Sequence, residues 1–174
     1  MRGKQINKAC DRAITELAMG DTNALSIIYD CMARMIFSVA YGITGNYQDA
    51  ENVLQETMIE IVKYAHSYRS GSNARAWILA IARHCSVDIV RKRKLSVPID
   101  DTGSVDLPLY RPDLSKLEVL DMLRILNSEE RQCIILRLYA EMSHKEIASI
   151  MNISVASAQK KYQRAVRKLK DFYI

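Results

Sequence analysis

Every proline in the chain, Pro98, Pro108 and Pro112, falls between Lys94 and Ser115, and Gly103 lies among them. Proline fixes φ and lacks a backbone donor, so such a stretch cannot continue a helix, whereas the proline-free sequence on either side can. The cluster predicts a flexible linker over 95–114 between two units, 1–94 and 115–174. The whole chain of 174 residues has only six glycines, and it is rich in Ala, Leu, Ile, Met, Lys, Arg and Glu. That composition lacks the turn chemistry of a many-stranded sandwich or barrel. The expected fold class is therefore all-α: two small helical domains joined by a flexible linker. With 49% hydrophobic and 26% charged residues, the chain has the mix of a folding protein.

The longest apolar run, Met35 to Ile43, includes Ser38, Tyr41 and Gly42 and is about half of the ~20 residues a membrane-spanning helix needs. No membrane insertion is expected. The first residues lead into an amphipathic pattern without the apolar core of a secretory signal, which makes a cytoplasmic location the expectation. Cys10, Cys31, Cys85 and Cys133 are widely spaced and lack a C-x-x-C pair. They read as reduced core thiols, with no metal site and no cofactor implied.

Charge is sorted along the chain. Residues 68–95 carry seven basic groups against one acidic, 154–174 carry six against one, and 47–67 carry four acidic against one basic. One basic block is ordinarily a solvated helix face, but two, each ending a helical unit, favour a polyanion held at two sites.

Apolar residues recur at helical spacing over Ile6 to Met19, Asn23 to Gly42, Tyr47 to Ala65 and Asn73 to Lys94, with Asp21 and Ser72 in cap positions. In the third of these helices Leu54, Met58, Ile61 and Ala65 form the inward stripe. Asp49, Asn52, Glu56 and Glu60 then recur on another face, which is either solvated or a docking surface for a basic protein. The fourth helix buries Trp77, Ile78, Ile81, Cys85 and Ile89 and ends in Arg91-Lys92-Arg93-Lys94 behind Arg83 and His84. Asp88 is spaced to pair locally with His84, Arg91 and Lys92.

The second unit reads as helices over Leu114 to Leu126, Ser128 to Tyr139, Ser143 to Met151 and Ser154 to Tyr173. Ser143 and Glu146 fit a capping box, and Asn152 stands where the turn between the last two helices requires a left-handed backbone. This is helix-turn-helix spacing. Val155, Ala158, Tyr162, Ala165, Val166 and Leu169 are expected to face inward, which turns Gln159, Lys160, Lys161, Gln163, Arg164, Arg167 and Lys168 outward. Lys and Arg supply phosphate affinity, while Gln and Arg near the helix start can read base edges in a major groove. His66, His84 and His144 have no matched nucleophile and acid, and no phosphate-binding glycine loop is present, so an enzyme is not expected.

Both units resemble one family. Gly20-Asp21, Ala24-Leu25, Tyr29, Arg34 and Asp49-Ala50-Glu51-Asn52-Val53-Leu54-Gln55-Glu56 are similar to regions 2.1 and 2.2 of bacterial RNA polymerase sigma factors of the extracytoplasmic-function (ECF) group of the sigma-70 family. Asn73-Ala74-Arg75-Ala76-Trp77-Ile78, Ile81-Ala82-Arg83-His84, Asp88 and Arg91-Lys92-Arg93 resemble regions 2.3 and 2.4, and Leu126 to Leu138 with Ser143 to Leu169 resembles region 4.

The resemblance implies that Asp49, Glu51, Asn52, Gln55, Glu56 and Glu60 bind core polymerase. It implies that Asn73, Arg75, Trp77, Arg83, His84, Arg91 and Lys92 bind and help melt the minus-ten element, binding to single strands supplying the energy that opening needs. Ser154, Ser157, Gln159, Lys160, Lys161, Gln163, Arg164, Arg167 and Lys168 would read the minus-thirty-five element. The implied partners are bacterial core RNA polymerase, promoter DNA and an anti-sigma factor. The alternatives are a stand-alone helix-turn-helix regulator and an interaction protein that binds no DNA.

Overall fold

The computed structural model describes residues 3–95 and 122–174. The expected linker beyond Leu95, and the expected helix from Leu114 as far as residue 121, lie outside the described residues. Those residues form seven α-helices and no strand: α1 (Gly3–Ala18), α2 (Ala24–Thr44), α3 (Tyr47–Tyr64), α4 (Ala74–Leu95), α5 (Ser128–Ile134), α6 (His144–Met151) and α7 (Val155–Tyr173). Single 3₁₀ turns occupy Ala65–Ser67 and Leu123–Ile125, and a π-helical segment, Ile135–Tyr139, continues α5.

Helix α2 is the axis of the N-terminal unit and packs against α1, α3 and α4. By length and composition it could cross a membrane, yet Ile28, Met32, Ile36 and Phe37 are at most 1% exposed inside the bundle. Its N-terminal half keeps a polar edge, with Ser26, Asp30 and Arg34 exposed at four-residue steps, and its C-terminal half from Ile36 is buried throughout. Phe37 stacks on Tyr41 and meets Tyr47 edge-on at 5.2 Å, which locks the α2–α3 crossing. The α3 stripe expected to face inward does so, with Leu54, Met58, Ile61 and Ala65 all buried.

In the C-terminal unit α5 and α7 enclose a core with Leu136, Met142 and Ile147. Ser143 accepts from the Glu146 amide and Glu146 from the Ser143 amide, so the capping box is present. Asn152 adopts φ 53° and ψ 50°, turning the chain from α6 into α7. Ser154 caps α7 by accepting from the Ser157 amide at 3.1 Å.

Several local expectations are corrected. Asn73, rather than Ser72, caps α4, its Oδ1 accepting from the Ala76 amide at 3.0 Å. Helix α5 does begin at Ser128 as expected; Asn127 caps it in a box with Glu130, and the Ser128 hydroxyl accepts from Gln132. Asp21 accepts from the Asn23 amide at 3.0 Å and so braces the turn before α2, while Asn23 holds the cap position. Val155 is 41% exposed, because the first turn of α7 projects beyond the helices that cover Ala158 and Ala165.

Candidate functional site

Three surfaces carry the residues singled out in the sequence. On α3, Asn52, Gln55 and Glu56 are exposed and Asp49, Glu51 and Glu60 are half-buried. Their registers follow from the burial of Val53, Leu54, Thr57 and Met58 on the opposite face. The stripe is not free charge throughout. Arg93 from the end of α4 pairs with Asp49 and reaches the Thr44 carbonyl, Glu60 pairs with Lys63 at 3.1 Å, and Asn52 accepts from Gln48. The partnership of Arg93 with Asp49 was not foreseen: only the packing of α3 against α4 brings the two together.

The second surface is the loop before α4 and the helix itself. Asp11 on α1 accepts from the Tyr68 hydroxyl at 2.7 Å and from the Gly71 amide at 2.8 Å, which pins the loop to the bundle. Burial pushes the Tyr68 hydroxyl up to about 12; the Ser72 contact opposes this, and the bond to Asp11 adds to it. Tyr68 packs on Trp77 with ring centroids 5.1 Å apart, so the half-buried Trp77 is both core and surface.

Along α4, His84, Arg91 and Lys92 are exposed, and Asp88 pairs with His84 at 3.4 Å and Arg91 at 3.2 Å. Arg83 is half-buried and donates to Gln132 at 2.8 Å; burial holds its guanidinium below the ordinary value, with Glu129 pulling the other way. Asn73 is exposed and donates to Glu146. Arg75 departs most from its expected place: it is 9% exposed and donates to the Ala140 carbonyl of the C-terminal unit. The partners of Arg75, Arg83 and Asn73, respectively Ala140, Gln132 and Glu146, belong to the second unit and carried no local signal.

The third surface is α7. Gln159, Lys160, Gln163, Arg164 and Arg167 are exposed along one side of the helix, with Ser154 at its cap and Ser157 half-buried. Lys161 pairs with Glu129, and Lys168 with Glu130 at 2.8 Å. Both acids stand on α5, so these two lysines brace the helix-turn-helix as well as charging its face. His144 meets the Tyr162 ring edge-on at 5.4 Å, holding α6 against α7.

A bundle with an acidic outer helix and a basic final helix, coupled to a helix-turn-helix with a basic second helix, defines a two-part DNA-binding protein. The sigma-70 region 2 family matches residues 28–95 and the sigma-70 region 4 family matches residues 116–169. The ECF RNA polymerase sigma factor SigM of Bacillus subtilis is 30% identical over 152 residues, covering 84% of this chain and 93% of that protein. SigW of the same organism is 25% identical over 169 residues, covering 88% and 90%. The chain belongs to the ECF sigma factors of the sigma-70 family, which are transcription-initiation factors rather than enzymes.

Two solved structures share its fold. CnrH in complex with the cytosolic domain of CnrY has a TM-score of 0.72 at 20% identity, covering 94% of this chain and 96% of that one. RpoE in complex with the anti-sigma factor NepR from Bartonella quintana has 0.66 at 22%, covering 82% and 92%.

Proposed function

We propose that the N-terminal unit binds core RNA polymerase through Asn52, Gln55 and Glu56, flanked by Asp49, Glu51 and Glu60, and recognises and melts the minus-ten element through the Asn73 loop and α4. The C-terminal unit reads the minus-thirty-five element through α7, and the residues 95–114 tether the two. The observation that carries this reading is that polar α3 and basic α7 each present an uncovered face on opposite units of one chain. Salt-dependent phosphate contacts come from Lys160, Arg164 and Arg167, and base readout from Gln159 and Gln163 near the helix start. An anti-sigma factor is a proposed partner as well, because RpoE, a protein of this fold, was solved in complex with the anti-sigma factor NepR.

Transcription in vitro with bacterial core polymerase on a genomic promoter library tests the assignment. Discrete start sites preceded by two shared elements are expected, and a Gln55→Lys/Glu56→Lys variant should lose core binding while keeping its helix content. Asp49 is left intact in that variant because it also holds Arg93. DNA binding without any transcript would instead identify a stand-alone regulator, and unimpaired core binding by the variant would remove α3 from the docking role.

A further inference from the structure

The connection between α1 and α2 is short, and the two helices pack on each other as an antiparallel pair. Cys10 lies eight residues before the end of α1 at Ala18, and Cys31 lies seven after the start of α2 at Ala24. At about 1.5 Å per residue both therefore stand roughly 10–12 Å from the turn. This matched register brings the two thiols together across the helix interface, within hydrogen-bonding reach. Cys10 is fully buried, and Cys31 is half-buried against the same core. Burial raises the Cys10 thiol, the Cys31 thiol adds to this, and the charge of Arg75 pulls the other way.

Arg75 sets this corner apart from the other cysteine sites. Its guanidinium meets the Met35 sulfur at 3.9 Å, one turn along α2 from Cys31, and its buried Nε has no partner. Cys133 lies against the Met151 thioether at 3.6 Å and Cys85 against the Thr57 hydroxyl, partners that cannot close a disulfide.

We propose that Cys10 and Cys31 form an oxidisable pair: a hydroperoxide converts Cys31 to its sulfenic acid, and Cys10 resolves it into a disulfide that ties α1 to α2. In the first step the Cys31 sulfur takes one peroxide oxygen. An S–O bond forms, the O–O bond breaks, and the other oxygen leaves with the thiol proton as water or an alcohol. In the second step the Cys10 sulfur attacks the Cys31 sulfur. An S–S bond forms, the S–O bond breaks, and the hydroxide leaves with the Cys10 proton as water. Two thiols have then lost two electrons to one hydroperoxide. Exposure assigns the roles, because half-buried Cys31 can meet a solute whereas Cys10 is sealed. The Arg75 charge favours the thiolate that Cys10 needs in order to attack.

The residues around Cys10 on α1 hold the loop that leads to Asn73. Asp11 accepts from Tyr68 and from the Gly71 amide, and Asn7, one turn before Cys10, accepts from the Arg75 amide at 3.1 Å. Closing the disulfide draws the two sulfurs from non-bonded contact to bonding distance, and the turn that carries Cys10 moves with them. Oxidation therefore shifts both acceptors relative to α4 and weakens the hold on Gly71.

The full-length protein should be treated with a small molar excess of hydrogen peroxide, alkylated in denaturant and digested with trypsin without reduction. Residues 9–12 should then appear joined to residues 13–34, two hydrogens lighter than the separate peptides together, and dithiothreitol should undo the link. Cys85 and Cys133 should be recovered alkylated. Cys10→Ala, which lacks the resolving thiol, should instead accumulate a sulfenic acid at Cys31 that dimedone traps. Exchange of the Gly71 amide should be about tenfold faster in the linked protein than in the reduced one.

Absence of the link, with Cys31 recovered as free thiol, sulfinic acid or an intermolecular dimer, overturns the pair even if Cys10→Ala does not fold. Linkage of Cys31 to Cys85 or Cys133 in place of Cys10 overturns it equally. A linked protein whose Gly71 amide exchanges as in the reduced form overturns the coupling to the loop.

Discussion

Replacing Lys168 with methionine should destabilise the C-terminal unit, even though lysine on a basic helix would ordinarily be counted as surface charge. Its partner, Glu130, is 3% exposed, and the pair is closed at 2.8 Å. The remaining contact of that carboxylate is a long 3.3 Å bond from the Asn127 amide. Removing one member of a fully buried pair costs about 3–5 kcal/mol, and an exposed pair contributes about 0–1 kcal/mol. The Lys168 side chain is 49% exposed, which lets water reach the ammonium and places the loss between those limits, at about 2 kcal/mol.

Methionine keeps an aliphatic stem of similar length, so little of this loss is apolar packing. Native-state hydrogen exchange of the α5 and α7 amides reads the C-terminal unit separately from the other. A Glu130→Gln/Lys168→Met double variant should regain stability to within about 1 kcal/mol of the parent, because the unpaired charge is gone and the amide oxygen can still accept from Asn127. It should not regain DNA affinity if Lys168 also touches phosphate; the salt slope should then fall by about 1. Parent-like protection in Lys168→Met, or a double variant no better than the single one, would refute the reasoning.

Two further outcomes follow from the placement of titratable groups. Burial pushes the Glu146 carboxyl up, but bonds from Ser143 and Asn73 and the charge of Arg75 hold it below its ordinary 4.5; its contribution is thus present at neutral pH and lost as pH falls through the depressed value. The stability difference between parent and Glu146→Gln should shrink below pH 4.5, and a difference of the same size at pH 7 and pH 3 would contradict this. Burial also pushes the Cys10 thiol up to about 12 and the Cys133 thiol up to about 11, so alkylation at pH 8, followed by peptide mass spectrometry, should label half-buried Cys31 well before either. Equal labelling of Cys10 and Cys31 in the native protein would show that α1 does not seal the core.

The helices, their inward stripes and the helix-turn-helix were legible in the sequence because each depends on spacing within a few residues. Apolar repeats at three and four positions, the Ser143 and Glu146 box, and Asn152 at a left-handed turn are local statements, and the fold repeats them. The cap position slipped by one residue, from Ser72 to Asn73, because Asn and Ser compete for the same amides, and tertiary packing selects between them.

Exposure of the outer faces of α3 and α7 was likewise readable, as the remainder after the stripes are assigned. What charged side chains touch was not. Arg75, Arg83 and Arg93 sit in a sequence that reads uniformly as a basic binding helix, yet Arg75 is buried against Ala140, Arg83 bonds Gln132 and Arg93 holds Asp49. Helical periodicity assigns a face to a residue but cannot say which distant segment arrives there. Long arginine and lysine side chains can turn to water, to phosphate or to a carbonyl with little change in the backbone. Only the packing of α4 on α6 and of α2 on the π segment decides among those ends.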